Sequence, residues 1–315
     1  MTAIILDCDP GHDDAIAIML AVADPTIDLR AVTTVAGNVT LDHTTRNALR
    51  VLDMVGRSDI PVAAGRAAPL VRDLSTAAVM HGETGLAGPL PAQPSRAALE
   101  IGAIALMQQV VADSAEPVTL VATGPLTNVA DLITQQPEIV DQLAQIVIMG
   151  GAVDLGNWTP AAEFNIWVDP HAADLVFRHG CAENRTPGLV PLTMIGLEVT
   201  HQAWLTDEHA DLLRGASATG TFVAELLDHF VGFHQERFGW EGAPIHDAVT
   251  IAHLIDPTLV QTQGMNVQIE VASPLCMGRT VADRWNVTGL PTNARVGLGI
   301  DRPRFVDLLM ARLLA

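Results

Sequence analysis

The chain has 315 residues, 49% of them apolar, with no low-complexity stretch, which is the composition of a folded globular protein. Its 36 acidic residues against 17 basic ones give a formal net charge of −19, which opposes the counterion release that drives nucleic-acid binding and argues against any polyanionic partner. All 17 basic residues are arginine, so a P-loop nucleotidase, a Schiff-base enzyme and a kinase are excluded: each needs a lysine amine.

In chain order, short apolar runs alternate with helical periods. A strand near 3–8 (AIILDC) precedes a helix over 13–24; a strand near 29–36 (LRAVTTVA) precedes a helix over 41–56; a strand near 61–65 (PVAAG) follows. Residues 79–98 read as a loop, expected to be a mobile flap. Then come a helix over 97–113, a strand near 118–123 (VTLVAT), a helix over 125–135, a strand near 145–151 (QIVIMGG) and a helix over 170–179. A strand near 191–196 (PLTMIG) leads to helices over 206–214 and 220–238. The tail holds strands VQIEVA and ARVGLGI and a closing helix from Arg302 to Leu313. This alternation predicts an α/β fold, an open, mostly parallel twisted sheet flanked by helices with a Rossmann-like core. No Gly-, Ser- or Pro-rich linker divides the chain, so residues 1–315 are expected to form one domain.

No apolar run reaches the ~18 residues of a membrane span, and no secretory signal pattern opens the chain. Cys8, Cys181 and Cys276 are too few and too scattered for a disulfide framework. A cytoplasmic location with no membrane partner is expected.

Polar residues gather where the predicted strands end, where open α/β sheets bind their ligands. Strand one runs into DCDPGHDD, the second into Gly37 and Asn38, the 118–123 strand into TGPLTN, and the 145–151 strand into a segment with GNW and EFN. Any one of these is an ordinary cap or turn, but four together suit a hydroxylated ligand. In the first, Asp7, Asp9, Asp13 and Asp14 crowd four carboxylates between apolar runs. An EF-hand loop counted from Asp7 would need an oxygen ligand at Gly11 and Glu at Ile18, so it is not one. The aspartyl-phosphatase pattern DxDx[TV] fails at Gly11 and lacks its lysine, and stands only as a runner-up. A helix cap explains one carboxylate but not four. A hard divalent cation, Ca²⁺, fits the set best.

Together, DCDPGHDDAIAIML, HGETGL, GPLTN, IMGG with AEFNIWVDP, HDAVTIAHLIDP and GRTVAD resemble the nucleoside hydrolases, the inosine-uridine preferring N-ribohydrolase family, over nearly the whole chain. The resemblance implies a bound Ca²⁺, hydrolysis of a ribonucleoside to ribose and free base, and a homotetramer or homodimer. It implies Asp9, Asp14, Asp247 and the Thr123 carbonyl as metal ligands, with Asp9 also the general base. Asp13, Asn38, Met149, Asn157, Glu163 and Asn165 would hold ribose, His246 would stand by the leaving base, and His81 in the flap would close over it. The chemistry suits these types: the transition state is oxocarbenium-like, and calcium polarises water less than zinc does, so a carboxylate base is useful. His201 could be structural or functional, and His12, His171, His179, His209 and His253 read as structural or surface residues.

Within the family the likeness is greatest to the pyrimidine-preferring ribonucleoside hydrolases, which use glutamine and tyrosine one helical turn apart to recognise the base. His234 and Phe238 occupy those places here, with Phe230 one turn earlier, and spacing of four sets all three on one helix face. Such a stripe is ordinarily core, and the alternative to a uridine/cytidine preference is a purine-tolerant enzyme. A non-catalytic, metal-dependent nucleoside-binding protein is the alternative of a different class.

Overall fold

The structure, a computed structural model, describes residues 1–88, 92–182 and 186–314. The strands in chain order are β1 (Thr2–Cys8), β2 (Ile27–Thr34), β3 (Val62–Ala64), β4 (Thr119–Ala122), β5 (Gln145–Met149), β6 (Gly180–Cys181), β7 (Val190–Ile195), β8 (Trp204–Leu205), β9 (Ala243–Pro244), β10 (Val260–Met265), β11 (Val267–Ile269), β12 (Thr280–Ala282) and β13 (Ala294–Ile300). The central sheet is ordered β10-β13-β7-β5-β4-β1-β2-β3, with β6 beside β7. All its pairings are parallel except β10 with β13.

Strand alternation divides the core between the two sheet faces. Ile4, Leu6 and Cys8 pack under the helices His12–Ala23, Ala218–Phe238, Ala248–Ile255 and Arg302–Leu313. Ala3 and Ile5 face the opposite layer, with Leu120, Ile146 and the helices Ala103–Asp113, Thr127–Gln135 and Pro170–Arg178. Fully buried on both sides, the central strands read as continuous apolar runs, as parallel strands do.

Most expected elements are present within two or three residues of their predicted ends, and the closing helix spans Arg302–Leu313. The helix expected over 97–113 starts only at Ala103, because Gly102 adopts φ +77° and Leu99 makes a parallel bridge with Ala63. The run VQIEVA does not join the central sheet: Val267–Ile269 pairs with β12 in a separate ribbon, and the sheet is closed by the antiparallel edge β10, which sequence reading did not mark. Residues 89–91, inside the expected flap, lie outside the described residues.

The chain order reverses between β1 and β4, which makes the crevice beyond their carboxyl ends the topological switch point. Register aligns the neighbours: Asp7 pairs with both Thr33 and Ala122, Ala122 with Ile148, and Met149 with Ile195. Residues just past these ends are therefore brought side by side.

The first helix is pinned at its far end. Asp24 accepts hydrogen bonds from Thr26 N–H (2.8 Å) and from Arg312 Nε (2.9 Å) on the closing helix. Burial pushes this carboxyl up, but those bonds outweigh it and hold it below its usual value. A depressed folded pKa means stability present above the unfolded value and lost as pH falls through the folded one. Asp24→Asn is expected to cost about 1–3 kcal/mol at neutral pH, by the usual cost of a broken buried hydrogen-bond set. In urea unfolding the gap from wild type should close as pH drops below ~4; a gap independent of pH would show that charge is not involved.

Candidate active site

At the crevice the turn Asp9-Pro10-Gly11 leads from β1 into the helix His12–Ala23, which starts with Asp13 and Asp14 in its first turn. Both aspartates suit a helix N-terminus, and Asp14 accepts the N–H of the N-cap residue Gly11 at 3.0 Å. Asp247 arrives from the N-terminus of the helix Ala248–Ile255. Ligand atoms of Asp13, Asp14 and Asp247 lie within 4.8 Å of one another, all buried.

Asp9 adjoins this group. Its Oδ2 accepts Asn38 N–H at 2.6 Å, while its Oδ1 is buried with no partner among the described residues. Asp14 Oδ1 accepts from Thr123 Oγ1 at 2.8 Å, and its Oδ2 also accepts from Asn38 Nδ2 at 3.2 Å. The backbone here leaves no room for larger residues: a Cβ on Gly37 would lie 2.1 Å from Asp9 Oδ2, and one on Gly11 2.6 Å from His81 Nδ1.

Burial, and then the neighbouring carboxylates, raise Asp9 and Asp247 well above the usual range. The same causes push Asp13 to about 8, and burial raises Asp14. Repulsion on this scale, an orphaned carboxylate oxygen and an all-oxygen donor set are what a hard divalent cation requires. The residues present fit such an ion.

Asp7, first in the sequence cluster, is not part of the group. Strand alternation turns it to the other face, where its Oδ1 accepts from Thr33 Oγ1 (2.6 Å) and Asn128 Nδ2 (2.8 Å). Burial lifts it to about 7.

Above the carboxylates lies a cavity lined by Asp13, Asn38, His81, Thr123, Met149, Asn157, Glu163, Asn165, Phe230, His246 and Asp247, together with Ala77, Met80, Trp158 and Phe164. A few convergent polar groups set among apolar and aromatic side chains are the make-up of a small-molecule site. Asn165 donates Nδ2 to the carbonyls of Thr123 (2.7 Å) and Met149 (3.1 Å), and Asn38 donates Nδ2 to Asp9 O (3.1 Å), so both present Oδ1 as the free acceptor. Asn157 accepts Phe164 N–H at 3.0 Å, which leaves its Nδ2 as a donor. Glu163 caps the helix Phe164–Val168, accepting the N–H groups of Asn165, Ile166 and Gly151 at 2.9–3.1 Å. His246 Nδ1 is 2.7 Å from Thr200 Oγ1, and burial, then His201 and His234, lower its pKa far below the usual value.

Asp9 and Asp14 sit beneath this lining. Of the predicted helical stripe only Phe230 lines the cavity. His234 is buried against it, its Nδ1 donating to Phe230 O at 2.8 Å, and Phe238 is 44% exposed. The three do share a face, but Phe238 is ~12 Å along the axis from Phe230 at 1.5 Å per residue, past the cavity wall. Sequence reading missed Met80, Phe164 and Trp158. The last stands beside Asn157 in GNW and packs edge-on to Phe164 at 4.9 Å; an aromatic in a polar turn was the available signal.

A family model described as "Inosine-uridine preferring nucleoside hydrolase" matches residues 4–307. The chain is 52% identical over 314 residues to the pyrimidine-specific ribonucleoside hydrolase RihA of Shewanella oneidensis, covering 99% of this chain and 96% of that protein. It is 49% identical over 312 residues to the RihA of Escherichia coli O7:K1, covering 98% and 97%. The structure superposes on the purine-preferring ribonucleoside hydrolase from Gardnerella vaginalis with a TM-score of 0.91 at 32% identity, covering 99% and 98%. The strand-end carboxylates, the polar cavity above them and these whole-length likenesses converge: this chain belongs to the inosine-uridine preferring nucleoside hydrolase family, enzymes that hydrolyse N-glycosyl bonds.

Proposed function

We propose that the protein is a Ca²⁺-dependent ribonucleoside hydrolase, one domain over residues 1–315, that prefers uridine and cytidine. The observation that carries this reading is the junction of four buried carboxylates with a cavity whose floor is polar and whose far wall is built from rings. Asp9, Asp14, Asp247 and the Thr123 carbonyl would hold the ion, with Asp13 beside them. Bound there, calcium would neutralise the carboxylates and offer open positions to oxygen ligands from the ribose diol and water.

The chain's own groups supply the remainder. Asp9 takes the proton of the attacking water through Oδ1, the oxygen without a protein partner, while Asn38 N–H holds the other. Asp13, Asn38 and Asn165 accept from ribose hydroxyls, and their order orients the anomeric carbon for attack. Asn157 donates to the 5′-hydroxyl and Glu163 accepts from it through the one lone pair its backbone partners leave over. Met149 packs against the sugar. His246 meets the departing base, and His81 and Phe230 enclose it, with His234 packed edge-on behind Phe230. A cytoplasmic location accompanies this reading through the few, scattered cysteines, and a homodimer or homotetramer through the family resemblance.

The pyrimidine preference rests on the relatives at 49–52% identity, whose names state it. Steady-state comparison of uridine, cytidine and inosine is expected to give the pyrimidines a kcat/KM at least about tenfold higher, the worth of one or two base contacts. Faster cleavage of inosine would overturn the preference and support the purine-tolerant reading that the purine-preferring structural relative favours.

A further inference from the structure

His12 is fully buried, does not line the cavity and takes no part in the chemistry above, yet both of its ring nitrogens are engaged. Nε2 is 3.0 Å from the carbonyl oxygen of Ala87, and Nδ1 is 3.0 Å from Nδ1 of His81. A carbonyl oxygen only accepts, so the proton of His12 sits on Nε2. The ring lies flat against Phe230 (centroids 5.2 Å, 6°) and His229 (5.3 Å, 10°), surroundings that favour the neutral imidazole. Nδ1 of His12 is then a lone pair, and the ring-to-ring contact closes only if His81 donates from its own Nδ1. His12 backbone N–H also points at that nitrogen, at 3.3 Å, and favours the opposite arrangement. The shorter contact decides between them, because two facing lone pairs at 3.0 Å would repel.

The consequence lies at the other end of the His81 ring. With a proton on Nδ1, its lone pair is on Nε2, which has no partner among the described residues, and His81 lines the cavity. His12 also fixes where that ring stands. It bridges both ends of the turn 81–87, which Ala87 N–H closes onto His81 O at 3.1 Å. Asn47 ties the same turn to the metal-side loop by donating to Thr84 O (2.7 Å) and Pro10 O (3.1 Å).

We propose that His12 is a positioning residue that locks His81 in its Nδ1–H tautomer, so that the cavity offers a hydrogen-bond acceptor at His81 Nε2 and selects leaving bases that present an N–H to it. This rests on the cavity's being a nucleoside site, and it deepens that reading by naming a group that meets the leaving base.

Ring-¹⁵N histidine NMR of the full chain tests it directly, with the His81 signals identified by their loss in His81→Gln. Wild-type His81 is expected to show a protonated Nδ1 and an unprotonated Nε2, and His12→Phe is expected to reverse them. In His12→Phe, kcat/KM for uridine should fall about tenfold, as for one lost hydrogen bond, while p-nitrophenyl riboside, whose leaving group has no N–H, should lose less than about twofold. His12→Asn, whose Oδ1 can accept in place of Nδ1, should restore the tautomer and most of the uridine activity. A wild-type His81 protonated on Nε2, or equal losses on both substrates, overturns the proposal. The wild-type measurement needs no His12 variant, so misfolding of His12→Phe does not shield it. Failure of the wild type to cleave any nucleoside would instead overturn the proposed function, and the tautomer would still judge the His12 lock.

Discussion

Asp9→Ala is expected to lower kcat/KM for uridine by ~10²–10⁴-fold, the usual contribution of a positioned general base, or by more if the ion is also lost. The two oxygens of Asp9 have different duties. Oδ2 is held by Asn38 N–H at 2.6 Å, which fixes the carboxylate plane, and Oδ1 is left buried and unpaired. An oxygen in that condition is costly unless something in the working enzyme uses it. Removing this side chain also removes one member of a mutually repelling set, so the thermal midpoint of the metal-free variant should not fall. Loss of activity with an unchanged or raised midpoint assigns the effect to chemistry. Near-native turnover in Asp9→Ala would remove it as the base.

The second large effect concerns the ion. Calcium added to chelator-treated wild type is expected to raise the unfolding midpoint, since a ligand at ~1,000 times its dissociation constant stabilises by about 4 kcal/mol. In Asp247→Asn or Asp14→Asn that response should disappear. The metal-free variants should be at least as stable as metal-free wild type, because neutralising one carboxylate relieves repulsion among Asp9, Asp13, Asp14 and Asp247. The opposite signs separate a metal site from a structural carboxylate network, in which the same substitutions would destabilise with or without calcium. Wild type that keeps full activity and an unchanged midpoint after exhaustive chelation would sink the calcium assignment.

Much of the architecture was legible because local and global preferences agree. The strands AIILDC, LRAVTTVA and VTLVAT are largely buried on both faces, so they are mainly apolar, and the switch from that pattern to helical periodicity marks each βαβ unit. The polar strand ends were legible for the same reason: Asp9, Asn38 and Thr123 follow β1, β2 and β4 closely, Met149 ends β5, and parallel strands bring all their carboxyl ends to one edge.

What did not carry over depended on distances that one dimension does not contain. Four aspartates in a row suggested one cluster, but alternation along β1 sends Asp7 to Thr33 and Asn128, and the place among the carboxylates is taken by Asp247, more than 200 residues later. Phe230, His234 and Phe238 share a helix face as their spacing requires, but only the fold sets which turn of that helix meets the cavity. His12 looked like one more structural histidine, because its partners at His81 and Ala87 lie 69 and 75 residues away.

By itself, then, the order of residues determined the layered α/β plan, the acidic turn after the first strand and the polar character of the strand ends, since these follow from side-chain periodicity and neighbour repulsion. Tertiary structure alone decided which carboxylates converge, which oxygens and ring nitrogens are left without partners, and which rings wall the cavity. Those outcomes depend on contacts between segments tens to hundreds of residues apart, which come together only when the sheet buries its two faces.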